Sequence, residues 1–310
     1  MAHFVSGIGQ QPDDAFDVLT VPRGRVVNQG DLHDPGYTRN WRASHSPMRI
    51  LVANDDGIHS PGIATLARVA SRFGEVRVVA PDVEQSSASH AITASRPLGY
   101  RRSTSPPGVE AWRVNGTPAD CVALGVHHWS NVDLVLSGIN IGTNLGNGLW
   151  HSGTLAAAKQ ATLFGLRGIA LSTPATAPGG EEPDFAALEP HVERVLSRLI
   201  PLTSARLLNV NLPVSPRGMA WTRQAVRQYD GRVVPDEDPM GRTHFWFTVV
   251  PIEQTEPGTD LWAMERGYIS VTPLGLDLTD AAALERLSAE LPLDVPAEAD
   301  ETEAVEEDES

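Results

Sequence analysis

The chain has 310 residues, of which 41% are hydrophobic and 20% are charged, a composition typical of a folded globular protein. Its only cysteine, Cys121, excludes an intrachain disulfide, and the apolar stretch around it predicts a buried thiol rather than a nucleophile. No apolar run approaches the ~20 residues of a membrane span, and no secretory signal is recognisable. We therefore expect a cytoplasmic protein.

The net charge of −15 is unevenly distributed along the chain. Residues 297–310 contain eight acidic residues and no basic ones, which leaves −7 for the rest. A mildly acidic body without a basic cluster argues against a nucleic-acid-binding surface. A small anionic substrate would therefore need local neutralisation, by a metal ion or by helix N-termini.

Three regions are predicted along the chain. Residues 1–47 mix Gly, Pro, Asn and Asp without a sustained period, which predicts a disordered or loosely attached extension. Met48 directly precedes a strong strand pattern, and our hypothesis is that the natural chain starts there. We expect one main domain over residues 48–282 and an acidic tail over residues 283–310, disordered apart from a short helix at its start.

From Met48 onward, strand and helix patterns alternate. A helix is expected to begin at the N-cap Ser60, with Pro61 at its first position, and to end at Gly74. Further helices are predicted over 154–164 and 189–199, and strands over 50–53, 76–80, 132–136, 169–171 and 206–210. This alternation predicts an α/β fold with a Rossmann-like, doubly wound, mostly parallel sheet, in which the first strand is central.

The pattern changes after residue 213. Strands are predicted over 219–223, 244–250 and 267–273, with few helical periods between them and a final helix over 284–291. We expect the region 213–275 to form β-hairpins or extended arms that pack beside the sheet or across a subunit interface.

Polar clusters follow three of the predicted strands, at residues 54–57, 81–89 and 137–144. The carboxyl ends of parallel strands meet at one edge of a sheet, where ligands bind. Asp55 and Asp56 are adjacent carboxylates that resist ionising side by side, so a hard cation with oxygen ligands is the favoured interpretation. The alternative, a helix cap, is weaker because Ser60 and Pro61 already fill that role. Gly57 allows the tight turn that follows.

The other two clusters are less specific when taken alone. Ser86 lies in a run of small residues that fits a flexible loop. Asn140 and Asn144 lie among glycines that recur every four residues, which fits either left-handed turns or a backbone cradle for phosphate. Ser152, Gly153 and Thr154 open a helix, where they would form an anion site or simply cap the helix.

Several other chemistries are disfavoured. The first strand is not followed by a dinucleotide-binding glycine motif, and the chain has no phosphate-binding loop with lysine, no serine-hydrolase elbow and no His-x-x-x-His zinc pair. His59, His90 and His151 lie beside the polar clusters in sequence. They are candidates for a general acid or base, although each one is more often a surface residue.

These segments together resemble the survival protein SurE family. The resemblance is collinear over residues 48 to about 280 and rests on seven linked motifs. The motifs are those at residues 48–63, 78–82, 115–122, 137–146, 152–158, 257–260 and 267–274. One departure is Ser87, where many relatives carry glycine. Residues 1–47 and the acidic tail lie outside the resemblance.

The resemblance implies a phosphomonoesterase, a 5′-nucleotidase that acts on nucleoside 5′-monophosphates and often on 3′-monophosphates. It implies one divalent metal ion per subunit, Mg²⁺ or Mn²⁺, and a homodimer or homotetramer formed through swapped C-terminal arms, without a membrane or a stable nucleic-acid partner. By motif, the metal ligands fall on Asp55, Asp56, Ser86 and Asn140. The phosphate contacts fall on Asn144, Ser152, Gly153 and Thr154.

The predicted mechanism is metal-assisted hydrolysis by in-line attack of water, with Asp55, Asp56 and Asn144 as the catalytic residues. Whether Asp55 or Asp56 instead acts as a covalent nucleophile or as a general base stays open. Two other functions are also considered: a metal- or nucleotide-binding module without turnover, and a structural oligomer whose acidic tail recruits partners. For the tail, a solubilising disordered end is the simpler interpretation.

Overall fold

The computed structural model describes residues 47–176, 180–226, 231–249 and 255–291. The predictions for residues 1–46 and 292–310 lie outside this part of the chain. The described strands are β1 (Arg49–Ala53), β2 (Glu75–Pro81), β3 (Tyr100–Ser103), β4 (Glu110–Val114), β5 (Leu134–Ile141), β6 (Arg167–Thr173), β7 (Leu207–Asn211), β8 (Gly218–Trp221), β9 (Gly231–Glu237), β10 (Thr243–Val249) and β11 (Tyr268–Leu274). The described helices are α1 (Pro61–Ala70), α2 (Pro118–His128), α3 (Gly153–Leu163), α4 (Phe185–Leu199), α5 (Asp260–Glu265) and α6 (Ala281–Glu290).

Nine of these strands form one mixed sheet in the order β3-β4-β2-β1-β5-β6-β7-β11-β8. The six strands from β4 to β7 in this order are parallel. At one end β3 runs antiparallel to β4, and at the other end β11 runs antiparallel to β7 and parallel to β8. The predicted mostly parallel α/β sheet is therefore confirmed.

Helices cover both faces of the sheet, as in a doubly wound fold. Helices α1 and α4 contact each other on one face, and α2 and α3 contact each other on the opposite face. The buried apolar residues accordingly form one large cluster on the α1 side and two smaller ones on the α2 side. Cys121 lies on α2 in one of the two smaller clusters and is buried, as predicted. Burial raises the pKa of its thiol. None of the helices in the described ranges is long and apolar enough to cross a membrane.

Strand β1 is interior, as a continuous apolar run requires. Ile50, Leu51 and Val52 are fully buried because both faces of the strand are covered by helices. It is the fourth of nine strands, and β5 holds the middle position. The first strand is thus close to the centre rather than at it, since two strands from the C-terminal region extend the sheet beyond β7.

Strand β5 is longer than the sequence pattern predicted. It was expected to end at Ser137-Gly138, but it continues to Ile141, with a register shift against β6 between Ser137 and Asn140. At Gly138 the backbone has φ +128, and a Cβ there would lie 2.2 Å from the carbonyl oxygen of Leu171. Only glycine allows this conformation and this close approach. Asn140 is consequently delivered by the strand itself and not by a following loop.

The C-terminal region only partly forms the predicted arm. Strands β9 and β10 pair with each other alone as an antiparallel hairpin, in agreement with the prediction. Strands β8 and β11 instead complete the main sheet, so the prediction of hairpins or arms throughout 213–275 was too broad. Helix α6 corresponds to the predicted final helix, begins three residues earlier than expected and spans the predicted boundary at residue 282.

Five elements were missed, namely α2, α5 and the strands β3, β4 and β9. Helix α2 has a clear local signal, because the Thr117 side chain accepts from the Asp120 N–H while the Asp120 carboxylate accepts from the Thr117 N–H. This capping box, with Pro118 at the first helical position, is readable from the sequence. The strands β3 and β4 are only four and five residues long, and β3 has no buried residue, so their sequence signals are weak. Strand β4 is held by β2, and β3 is held by β4.

Candidate functional site

The Asp55–Asp56 pair lies at the carboxyl end of β1, directly before the turn into α1. That turn is closed by its own residues, because the Asn54 amide donates to the Gly57 carbonyl oxygen at 2.9 Å and Gly57 has φ +96. Ser60 is the N-cap of α1 and accepts from the Gly62 N–H at 3.2 Å. Neither aspartate caps the helix, so both carboxylates remain available for chemistry.

Asp55 points at the first turn of α3. Its Oδ1 accepts a hydrogen bond of 2.6 Å from the Thr154 hydroxyl. A Cβ at Gly153 would lie 2.8 Å from the Asp55 Cβ, so the approach of β1 to this helix requires glycine. The carboxylate therefore sits at the positive end of the α3 dipole. Burial nevertheless raises the pKa of Asp55, while the Thr154 hydrogen bond opposes that rise.

Asp56 points toward the end of β5. Its Oδ2 accepts from the Ile141 N–H at 3.3 Å. Burial, and then the negative charge of Asp55, raises the pKa of Asp56 to about 7. The charged side chains that act on the two carboxylates are themselves negative, since Glu84 raises the pKa of both. The site is therefore an acidic cluster in which a bound cation would relieve repulsion.

Asn140 precedes Ile141 and lies beside Asp56 along β5. Its side-chain amide donates to the Gly142 carbonyl oxygen at 2.6 Å, which orients the side chain. An amide whose NH₂ group is held in this way can present its Oδ1 atom to a cation. The hydrogen bond from Ile141 to Asp56 thus places Asn140 one residue from a backbone contact of the carboxylate pair, and its role as a metal ligand stays a prediction.

Ser86 lies on the loop after β2, and this loop contacts Asp55 through the backbone. The N–H of the neighbouring Gln85 donates to the Asp55 carbonyl oxygen at 2.8 Å. Ser86 is exposed, and its hydroxyl donates to the Glu84 carboxylate. Ser87 has φ +59, a left-handed conformation that favours glycine. This explains physically why glycine would suit the position at which the chain departs from the family pattern.

Asn144 is the centre of a buried polar network behind Asp55. Its amide donates to the Ser172 hydroxyl at 2.8 Å and to the Thr154 hydroxyl oxygen at 3.3 Å. Two asparagines at the end of β7 hold its backbone: the Asn209 and Asn211 amides donate to its carbonyl oxygen at 2.8 and 2.9 Å. The network links the ends of β6 and β7 to Thr154 and, through its hydroxyl, to Asp55.

The predicted phosphate-contacting side chains all have partners within the protein. Ser152 is the N-cap of α3 and accepts from the Leu155 N–H at 2.9 Å, so its hydroxyl performs the capping role that the sequence left open. Thr154 is fully buried and bonds Asp55 and Asn144. A phosphate contact at this helix end would therefore rely on backbone N–H groups more than on hydroxyls.

The three candidate acid–base histidines lie around this edge of the sheet. His59 and His151 are exposed, and His90 is half-buried with its Nε2 atom 2.9 Å from the Gln160 Oε1 atom on α3. The groups that shift the pKa values of Asp55 and Asp56 include none of the three. The role of each histidine as an acid or base stays a prediction.

Residues that sequence reasoning missed hold the site in place. Glu84 adds a third negative charge, and Asn209 and Asn211 fix Asn144. Asp260, fully buried at the start of α5, accepts from the Gly146 N–H at 2.8 Å and so anchors the segment after Asn144. The sequence offered two signals for these residues, namely the alternating asparagines of β7 and the aspartate that ends the 257–260 motif. Their hydrogen-bond partners are 65 or more residues away along the chain, so the signals did not reveal their roles.

The donor chemistry fits a divalent cation with oxygen ligands. Within the described ranges no three His, Cys, Asp or Glu side chains are grouped so as to hold a metal ion. A site here would combine two carboxylates with neutral amide and hydroxyl oxygens, a set that suits Mg²⁺ or Mn²⁺ and not zinc. The fold and the site together define a doubly wound α/β protein with an acidic, oxygen-donor site at the carboxyl edge of its sheet.

Comparison with known proteins specifies the family. The chain belongs to the SurE family: the family model described as Survival protein SurE matches residues 50–231. A relative named 5'-nucleotidase SurE 1, from Thermus thermophilus, is 47% identical over 247 residues, which are 78% of this chain and 97% of the relative. A 5'-nucleotidase SurE from Deinococcus radiodurans is 44% identical over 266 residues, 83% of this chain and 98% of the relative.

A solved structure gives the same result for the fold. The crystal structure of the SurE protein from Aquifex aeolicus matches with a TM-score of 0.67 and 35% sequence identity, over 78% of this chain and 99% of that one. The resemblance read from seven sequence motifs is therefore confirmed.

Proposed function

We propose that this chain is a metal-dependent 5′-nucleotidase, which hydrolyses nucleoside 5′-monophosphates to nucleoside and inorganic phosphate. The observation that carries the proposal is the Asp55–Asp56 pair, of which Asp55 is buried and Asp56 half-buried, held by Thr154 and Ile141 beside further negative charge. The curated relatives cited above are named 5'-nucleotidases, which supports the same reaction. Activity on nucleoside 3′-monophosphates belongs to the proposal as a second substrate class.

The metal ligands we propose are Asp55, Asp56, Ser86 and Asn140, around one divalent ion per subunit, Mg²⁺ or Mn²⁺. Direct contacts between neighbouring residues support this set: Gln85 bonds the Asp55 backbone, and Ile141 bonds the Asp56 carboxylate. A bound divalent ion would neutralise negative charge on a phosphate oxygen and lower the pKa of a water molecule. The two carboxylates balance the charge of that ion, which accounts for their burial side by side.

The protein groups around the proposed ion would orient the phosphate and the attacking water. The backbone N–H groups of Gly153 and Thr154 open α3 and suit a phosphate oxygen, and Asn144 holds Thr154 in place. In hydrolysis, a water oxygen bonds to phosphorus while the phosphorus–ester oxygen bond breaks, and the nucleoside oxygen gains a proton. One of the two aspartates could accept the proton of the water, or one could form an aspartyl-phosphate. Trapping of a phosphorylated protein during a single turnover distinguishes the two mechanisms.

Release of inorganic phosphate tests the proposal. Nucleoside 5′- and 3′-monophosphates are each incubated with Mg²⁺, with Mn²⁺ and with EDTA. We expect turnover with at least one metal ion and its loss with EDTA. Nucleotide binding without phosphate release under all conditions would contradict the proposal and indicate a binding module.

Oligomerisation through the β9–β10 hairpin is a further part of the proposal. The hairpin pairs with no other described strand, and it exposes Val233, Phe245 and Trp246. Exposed apolar groups on an isolated hairpin are typical of a protein–protein interface. We expect a homodimer or homotetramer in light scattering, and a smaller species when Phe245 and Trp246 are both replaced by serine.

The domain boundaries and the location also stay proposals. We propose residues 48–282 as the catalytic domain, residues 1–47 as a dispensable extension, residues 283–310 as a tail and the cytoplasm as the location. Deletion of residues 1–47 is expected to leave activity and melting temperature unchanged. Loss of folding in that variant would refute the boundary.

A further inference from the structure

Exposed apolar side chains line the edge of the site, next to its most polar residues. Trp150 is 53% exposed, and Ile141 is 38% exposed. Ile141 donates its backbone N–H to Asp56, and Trp150 is three residues before Gly153, whose Cα faces Asp55. Each carboxylate is thus approached by a backbone segment that carries one exposed apolar side chain, Ile141 itself for Asp56 and Trp150 three residues before Gly153 for Asp55.

The backbone around Trp150 is held in place on both sides. Leu149, the residue before it, is buried at 5% exposure and packs against α3 residues. The Ser89 hydroxyl donates to the Trp150 carbonyl oxygen at 2.7 Å, and the Ser89 N–H donates to the His151 carbonyl oxygen at 3.2 Å. The exposed ring therefore projects from a fixed turn and not from a mobile loop.

Trp150 is also within reach of a substrate bound at the site. Three peptide units separate it from Gly153, so their Cα atoms are at most ~11 Å apart. The Ser89 hydrogen bonds additionally tie it to the loop that carries Ser86. An extended ligand whose phosphate lies at Asp55 and Asp56 would pass the indole ring with its other end.

We infer that Trp150 is the platform on which the nucleobase of the substrate stacks, with Ile141 as an apolar contact on the other side of the site. The inference rests on the proposed function, because the nucleoside monophosphate that is the proposed substrate combines a phosphate monoester with a flat aromatic base. A pair of carboxylates suits the phosphate through a cation, and an exposed indole on a neighbouring turn suits the base. Stacking accepts every base, since each has a π-face, so several nucleoside monophosphates are expected as substrates.

Substitution of Trp150 tests the inference with a matched pair of substrates. AMP and ribose 5-phosphate carry the same phosphate ester, and only AMP carries a base. We expect Trp150→Ala to lower kcat/KM for AMP about tenfold, as loss of one stacked base predicts, and to leave ribose 5-phosphate unchanged. Trp150→Phe, which keeps an aromatic face, is expected to restore most of the AMP activity.

Trp221→Ala is the control, because Trp221 is 59% exposed on the edge strand β8 and lies outside the site. It is expected to change neither substrate. Three outcomes for Trp150→Ala would overturn the inference. They are an equal fall in kcat/KM for both substrates, an unchanged kcat/KM for AMP, and a changed oligomeric state without any difference between the substrates. The melting temperature of each variant identifies any folding defect, and Trp150→Phe then provides the comparison.

Failure of the proposed function is distinguishable from failure of the inference. If the wild-type protein releases no phosphate from any substrate, the nucleotidase proposal is wrong. The affinities of wild-type and Trp150→Ala for AMP and for ribose 5-phosphate, measured by calorimetry with Mn²⁺, then decide the inference. Selective loss of AMP affinity supports it, and equal affinities of the two proteins for AMP contradict it.

Discussion

The two sides of the site are built differently. On the α3 side, Asp55, Thr154 and Asn144 are buried and joined by hydrogen bonds to the ends of β6 and β7. On the side of the loop after β2, Ser86 is exposed and Ser87 adopts a left-handed conformation. The first side embeds the proposed catalytic residues in the packing of the sheet, while the second carries the proposed ligand Ser86 without contributing much to the core. Substitutions on the α3 side should therefore reduce stability as well as activity, and those on the loop should change stability little.

The largest effect is expected from the carboxylate pair and its neighbour on β5. We expect Asp56→Asn and Asn140→Ala each to lower kcat by ~10² or more, because each weakens charge stabilisation at the reacting phosphate. Asp56→Asn also removes one of two repelling charges, so the melting temperature should not fall. Phosphate release near the wild-type rate in either variant would contradict the assigned site.

Gly153→Ala is expected to damage both activity and stability. The new Cβ would lie 2.8 Å from the Asp55 Cβ, so β1 and α3 must separate, at a cost of about 1–3 kcal/mol in the free energy of unfolding. Activity should fall at least tenfold because Asp55 moves. Gly148→Ala is the matched control, since a Cβ at Gly148 meets nothing within 4 Å. Urea denaturation and phosphate release measure both quantities, and equal behaviour of the two variants would contradict the packing argument.

Thr154→Val tests the hydrogen bond that orients Asp55. Valine keeps the shape but leaves the Asp55 Oδ1 atom without its hydroxyl donor, and we expect a loss of about 1–3 kcal/mol in stability and about tenfold in kcat. Thr154→Ser keeps the hydroxyl and should recover most of both losses. If serine and valine behave alike, the methyl packing of Thr154 matters and its hydroxyl does not.

Ser86→Ala is expected to separate activity from stability. The side chain is exposed, so its removal should change the free energy of unfolding by less than about 0.5 kcal/mol. Loss of a neutral metal ligand should weaken the affinity for Mn²⁺ about tenfold, measured by calorimetry. Unchanged Mn²⁺ affinity would remove Ser86 from the ligand set.

Ser87→Gly should have the smallest effect, and it should be stabilising. Relief of the left-handed strain, offset by the added freedom of glycine in the unfolded chain, predicts a gain of about 0.5 kcal/mol. Ser89 also has a positive φ, but its hydroxyl donates to Trp150, so Ser89→Gly should lose that gain. Thermal denaturation of the two variants side by side measures the difference, and a lower melting temperature for Ser87→Gly would contradict the strain argument.

The sequence by itself determined the class of fold, and it predicted that the proposed site residues lie at the carboxyl edge of the sheet. Local patterns predicted several elements within a few residues. These patterns are the continuous apolar runs of β1 and β2, the Ser60-Pro61 start of α1 and the alanine-rich sequence of α3. The rule that parallel strands end at a common edge was enough to bring residues 55, 56 and 140 to the same place. The motifs then indicated the SurE family over most of the chain.

Only the tertiary structure decided the register and the partners. The extension of β5 to Ile141 depends on the approach of Gly138 to β6, and the addition of β11 and β8 depends on pairing with β7. The roles of Thr154 and Asn144 depend on partners up to 99 residues away. Local patterns report propensity and burial, whereas a hydrogen bond between distant strands arises only when packing brings its two groups together.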